Sequence, residues 1–175
     1  TKINAKGMFL RPFARYLNTV ILSNIYPERR RLIVTGDPAG EQPGGTEEKS
    51  AQEIFSEELG VSVEAAKDPA TGNLAVRLTP RLDAVNHFLL LPGPGLIIDP
   101  RCTTLITGFK NGYQMRKIKK PGTDEYAYEP DKNEYSHVQD ALQYGLLRVR
   151  GEAVTMRQSS RLRTGSTRRY DLAGP

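Results

Sequence analysis

The sequence predicts an α/β domain with a mostly parallel sheet, because runs that read as strands alternate with runs that read as helices along most of the chain. Three observations carry that expectation. Leu32-Ile33-Val34-Thr35-Gly36 is a β-branched apolar run without polar alternation, the pattern of a strand buried on both faces. Phe9, Phe13, Leu17, Val20, Ile21 and Ile25 recur at helical spacing and stop before Pro27. The 175 residues suffice for one domain with a sizeable core and are too few for two comfortable ones.

Taken in order, the apolar periodicity places the first helix at residues 8–26, and the strand at 32–36 follows it. Thr46 is the expected N-cap of a second helix, with Glu47 and Glu48 favourable at its positive end and Gly60 stopping it after Leu59. Residues 61–65 read as a short strand and 68–73 as a loop. A helix over 81–91 carries His87, which reads as a packed core histidine, and ends at Pro92-Gly93-Pro94-Gly95. Leu96-Ile97-Ile98-Asp99 is the third expected strand, and 102–110 a short helix closed by Asn111-Gly112. Residues 113–119 and 126–128 read as a β-hairpin. The last helix spans about 133–147, with Val138, Leu142 and Leu146 as its apolar face. The division expected is one domain over 1–150 and a basic, disordered tail over 151–175, where little core-forming material remains.

No stretch reaches the roughly eighteen consecutive apolar residues of a membrane span, so no membrane partner is expected. The start at Thr1, without a charged leader before an apolar segment, predicts no signal peptide and reads as part of a longer protein. One cysteine, Cys102, excludes an internal disulfide framework and a cysteine-built zinc site, and fits a reducing compartment. The formal net charge is +5, gathered at Arg29-Arg30-Arg31, at Arg116-Lys117-Ile118-Lys119-Lys120, and in a tail whose seven arginines face the single acid Glu152 between Arg148 and Arg169. Such clusters suit a polyanion, nucleic acid first, although a solvated surface gives the same pattern.

The chemistry rests on carboxylates. Asp37 ends the strand at 32–36 and enters the turn Asp37-Pro38-Ala39-Gly40, the position at which an α/β sheet presents an acid at the carboxyl edge of a strand. Its alternative role is that of a turn-former bonding its own backbone. Asp140, on the last helix, faces away from Val138, with His137 and Tyr144 on its own side. Together the two acids are the minimum set for Mg²⁺ or Mn²⁺ beside a phosphodiester. Asp99 before Pro100 is a rival metal ligand, and equally a good turn. The glycines between 36 and 45 lack Gly-Lys-Ser/Thr, so a P-loop is excluded.

Several blocks, read together, resemble the nuclease domain at the C-terminal end of the large terminase subunit of tailed bacteriophages. They are Val34-Thr35-Gly36-Asp37-Pro38-Ala39-Gly40, Leu96-Ile97-Ile98-Asp99-Pro100-Arg101-Cys102, Gly108-Phe109-Lys110-Asn111-Gly112-Tyr113 and Tyr135-Ser136-His137-Val138-Gln139-Asp140-Ala141-Leu142-Gln143-Tyr144. The resemblance implies a ribonuclease-H-like mixed sheet flanked by helices, with an added β-hairpin. It implies metal-dependent cutting of concatemeric double-stranded viral DNA during genome packaging, in the host cytoplasm. The partners it implies are DNA, the terminase ATPase domain, the small terminase subunit and the portal. The family builds its site from three acids, two of which map onto Asp37 and Asp140. The first belongs to an opening Asp-x-Gly strand with no counterpart here, so the domain reads as N-terminally incomplete, with Asp99 or Glu48 as substitutes. His137 and Lys132 are expected to contact phosphate or orient the attacking water, and Arg116, Lys117, Lys119 and Lys120 to contact the DNA backbone. The alternative is a catalytically inactive module that docks on DNA or on the portal.

Overall fold

A strand, a helix and a parallel strand form the unit that presents Asp37. β1 (Val34–Gly36) pairs in parallel with β2 (Val63–Ala65) through Val34↔Val63, Thr35↔Glu64 and Gly36↔Ala65, and α3 (Ala51–Leu59) connects them. The computed structural model describes residues 7–25, 27, 32–43, 48–75, 77–118, 122 and 125–164, with side chains as far as residue 153. The helix α3 begins one turn later than its acids predict. Ser50 is its N-cap, accepting from the Glu53 N–H at 3.2 Å while the Glu53 carboxylate accepts from the Ser50 N–H at 2.7 Å. This reciprocal box satisfies two orphan donors at once, which a lone acid such as Glu48 does not do. Thr46, the expected cap, lies outside the described residues. Gly60, at φ +67°, ends the helix in the left-handed conformation that glycine adopts without strain.

The first helix is α1 (Leu10–Tyr16), continued by a π-helical segment (Leu17–Leu22) and by α2 (Ser23–Ile25). Charge more than apolar burial fastens it to α3. Arg11 pairs with Glu57 and Glu58, both at 3.0 Å, and Arg15 pairs with Glu58 at 3.1 Å. The Asn18 amide donates to the Glu58 carbonyl at 2.7 Å, and Phe13 meets Phe55 edge-on. Ala14 is the buried residue of α1.

The core is small-residue and shallow. Ala66, Ala75, Ala84, Tyr144 and Leu147 form one buried cluster, joining the end of the βαβ unit to α4 (Leu78–Leu89) and α6 (Ser136–Thr164). Alanines at these positions let α4 and α6 approach closely, which brings the polar side chains of both helices within reach of one another. Between them run α5 (Thr103–Thr107), a π-helical segment (Gly108–Gly112), and the antiparallel pair β3 (Met115–Lys117) and β4 (Tyr126–Pro130). The hairpin expected at 113–128 is thus present, and the Tyr128 and Thr79 hydroxyls, 2.9 Å apart, tie it to the start of α4.

Four features differ from the sequence expectation. The described sheets hold two strands each, so the architecture is mixed α/β with small sheets. Residues 96–99 have no regular structure and no ladder partners among the described residues, and Ile97 is 78 % exposed. Prolines on both sides of that run each remove a backbone donor, which works against pairing. β1 is half-buried and Ile33 exposed, so the strand is not covered on both faces. Finally, α6 runs through Thr164, past the end expected near Leu147 and into the segment expected to be disordered. Leu, Arg, Glu, Ala, Met and Gln there are good helix formers, and Gly145 and Gly151 are too few to stop it.

Candidate active site

The side of α6 that turns inward is polar. Ser136, Gln139, Gln143, Tyr144 and Leu147 are buried, whereas Val138, Leu142 and Leu146, expected to be the core face, are only half-buried. Asp140 lies on the inward side, its carboxylate 15 % exposed, and accepts from Arg81 at 3.1 Å and from Lys132 at 3.3 Å. Two of the sequence blocks interlock to hold this face in place. A Cβ on Gly108 would stand 2.3 Å from the Gln139 amide and one on Gly112 2.6 Å from the Tyr135 ring, so glycine is required for these approaches. Gln139 then donates to the Leu105 carbonyl at 3.1 Å, Asn133 to the Gly112 carbonyl at 2.8 Å, and Gln143 to the Tyr113 hydroxyl at 3.0 Å.

Asp37 arrives from the other direction. It caps the 3-10 turn Pro38–Glu41, its carboxylate accepting from the Ala39 N–H at 3.0 Å, while the Gln52 amide holds its carbonyl at 3.1 Å. The turn-forming role weighed for it is therefore real. It does not exhaust the residue, because its charge also acts on the Tyr144 hydroxyl, one turn beyond Asp140 on α6. β1 and α6 are in contact, and the charges of both acids favour the protonated form of that one tyrosine.

Burial pushes the Tyr144 hydroxyl up to about 12; Asp37 and Asp140 act in the same sense, and Arg81 opposes them. Tyr144 is thus a permanent donor at neutral pH. Burial also raises Tyr113, in part offset by its bond from Gln143. Arg81 lies over the Tyr144 ring, its guanidinium carbon 4.7 Å from the centroid, and its buried Nε and the buried Gln143 Oε1 have no partner among the described residues.

The remaining expected site residues fall as follows. Lys132 joins the cluster through Asp140. His137 is exposed in the first turn of α6. Asp99 is turned to its own loop: its carboxylate accepts from the Arg101 N–H at 2.8 Å and from the Arg101 guanidinium at 2.7 and 3.0 Å, which hold its pKa far below the usual range. Glu48 is exposed in the bend before α3. Among the described contacts neither acid joins Asp37 and Asp140. Arg116 and Lys117 are exposed on β3, Arg116 paired with Glu129, and Lys119 and Lys120 lie outside the described residues. His87 is exposed beside Phe88 and not part of the core.

Arg81 is the principal site residue that sequence reasoning passed over. Its signal was available: it stands three residues after Leu78 and four before Val85, a charge on the buried stripe of α4. Long cations on such a stripe are buried only when paired.

Among the described residues no group of three or more His, Cys, Asp or Glu side chains gathers. Asp37 is engaged in its own turn and Asp140 is paired with Arg81 and Lys132. No helix among the described residues is long and apolar enough to cross a membrane. No family model, no curated protein and no solved structure matches the chain.

Proposed function

We propose that the chain is a metal-dependent endonuclease domain of the kind carried by the large terminase subunit of tailed bacteriophages, cutting concatemeric double-stranded DNA during genome packaging. A ribonuclease-H-like sheet, with β1 and β2 as its parallel part, belongs to the same proposal. The observation that supports it is the contact of β1, which leads into Asp37, with α6, which carries Asp140 on its inward side. A polar helix face turned inward costs folding free energy that a solvated one does not, so its placement is best accounted for by use.

In this reading Asp37 and Asp140 hold one Mg²⁺ or Mn²⁺, which when bound activates water and offsets charge on the phosphate. The Ala39 N–H at the Asp37 carboxylate and the Gln52 amide at its carbonyl fix the orientation of Asp37. Lys132, 72 % exposed, and the exposed His137 take a phosphate arriving from solvent in this reading. Arg116 and Lys117, with Lys119 and Lys120, take the DNA backbone.

Supercoiled plasmid incubated with the protein and Mg²⁺ or Mn²⁺ tests the reading, beside Asp37→Asn and Asp140→Asn. Each substitution removes a ligand charge and little volume. Weak cutting that EDTA and either substitution abolish is the expected result. The second reading, a catalytically inactive module docking on DNA or on the portal, draws on the pairing of Asp140 with Arg81 and Lys132. DNA binding without cutting in either metal would favour it.

A further inference from the structure

Between the π-helical segment Gly108–Gly112, the hairpin of β3 and β4 and the approach to α6 lies a cavity of about 1040 Å³. Its inner wall is fixed. A Cβ on Gly112 would meet the Tyr135 ring at 2.6 Å, while Asn133 accepts from the Tyr135 N–H at 3.0 Å and donates to the Gly112 carbonyl at 2.8 Å. Half-buried Met115 and Ile118 supply apolar surface, and Tyr126, 58 % exposed, supplies a second aromatic ring. Two polar groups of the lining are uncommitted: the Asn111 carboxamide and the Asp131 carboxylate have no hydrogen-bond partner among the described residues. Arg116 and Lys117 bring positive charge to the exposed side. The pairing register shifts between Met115 and Lys117, an irregularity of the kind that re-aims side chains beside binding sites.

Each part suits one component of an unpaired nucleotide. A tyrosine ring stacks on any base. A carboxamide and a carboxylate match the amino groups and ring nitrogens of a base edge that is free of its pairing partner. The cations suit phosphate, and Asp131 repels it, so phosphates belong on the Arg116–Lys117 side. A duplex hides the base faces and the pairing edges, and would meet the cations alone. The volume lies at the top of the roughly 300–1,000 Å³ of small-molecule pockets. With one side open, that space suits a stretch of strand better than a free nucleotide. We propose that this cavity is a subsite for single-stranded DNA, in which Tyr126 stacks on a base and Asn111 and Asp131 take its edge. The inference rests on the nucleic-acid part of the reading above and needs neither Asp37 nor Asp140.

Two measurements on the full chain test it. Fluorescence anisotropy gives the affinity of a short labelled DNA strand of mixed sequence, and of the same sequence as a duplex, for the unmodified protein, Tyr126→Ala and Tyr126→Phe. Separately, the side-chain amide resonances of Asn111 are followed in the unmodified protein as the strand, the duplex or AMP is added. Single-strand binding should be about tenfold weaker in Tyr126→Ala, because one stacking partner is gone, and should be retained in Tyr126→Phe. Duplex binding should be equal in all three proteins. The Asn111 resonances should shift with the single strand and stay in place with the duplex. Single-strand binding that Tyr126→Ala leaves unchanged, or weakens no more than duplex binding, overturns the inference and leaves the backbone contacts of the hairpin standing. Failure of the unmodified protein to bind either form overturns the nucleic-acid reading, and the inference with it. Asn111 resonances that shift with AMP and not with the strand make the occupant a free nucleotide and overturn the strand assignment. Should Tyr126→Ala fail to fold, the Asn111 resonances decide alone.

Discussion

Tyr144 lies below a guanidinium, accepts the influence of two carboxylates and touches the small core, so its ionisation reports on the whole cluster. Its folded pKa, about 12, stands above the ordinary tyrosine value of 10.0. The protonated hydroxyl therefore contributes stability that is complete below pH 10.0 and is lost as the pH rises through about 12. Urea midpoints measured across that window should fall more steeply for the unmodified protein than for Tyr144→Phe. Parallel curves would mean that burial does not hold the Tyr144 hydroxyl in its protonated form. At this scale the sequence was partly legible. Asp37 stood out because aspartate is poor inside a strand and good before Pro-Ala-Gly, and both its turn role and its approach to the site follow from that one position. Asp140 and Arg81 did not stand out as a pair. Nothing along the chain links residues 81 and 140; the contact exists only because α4 and α6 pack together.

α1 and α3 show what charge does where apolar burial is thin. Bonds from Arg15, then Arg11, hold the Glu58 carboxyl below its ordinary value of 4.5, and bonds from Lys49, then Arg11, lower Glu57. Lowered carboxylates contribute stability that is present above pH 4.5 and lost as the pH falls through the lowered values. The α1 amides should accordingly exchange hydrogen earlier than those of α4 as the pH is taken below 4.5, and salt should advance the effect because the arginines are exposed. Equal retention of protection in both helices would place the attachment in the Phe13–Phe55 contact instead. The same scale contains the reversed reading of α6. Val138, Leu142 and Leu146 have the right spacing for a core stripe, yet all three are only half-buried, Leu146 packing against the edge of the core cluster. The inward side is set instead by partners that satisfy its amides, at Leu105, Gly112 and Tyr113.

Over the whole molecule, positive charge is carried by the hairpin and by the later part of α6, while the carboxylate cluster sits between α4, α6 and the end of β1. Binding to duplex DNA should be salt-dependent and nearly indifferent to sequence. Replacing Arg116, Lys117, Lys119 and Lys120 together with Ala should lower the slope of log affinity against log salt by about 0.9 for each residue that meets a phosphate. For Arg116 to meet a phosphate, its pairing with Glu129 must first be broken. An unchanged slope would take the hairpin out of the interface.

The strand–helix–strand order of residues 34–65, the hairpin, the stop at Gly60 and the strand-end aspartate were determined by the sequence itself, since each depends on nearby residues. Caps, turns and periodicity are local physics. The pairing of β1 with β2 alone and the course of residues 96–99 without ladder partners, both among the described residues, the inward polar side of α6 and the capture of Asp140 by Arg81 were decided by the tertiary structure. The reason is that burial and ion pairing are properties of what packs against a residue. Here the small side chains of Ala66, Ala75 and Ala84 left space for Tyr144 and Leu147, and so drew the polar side of one helix against the charged stripe of another.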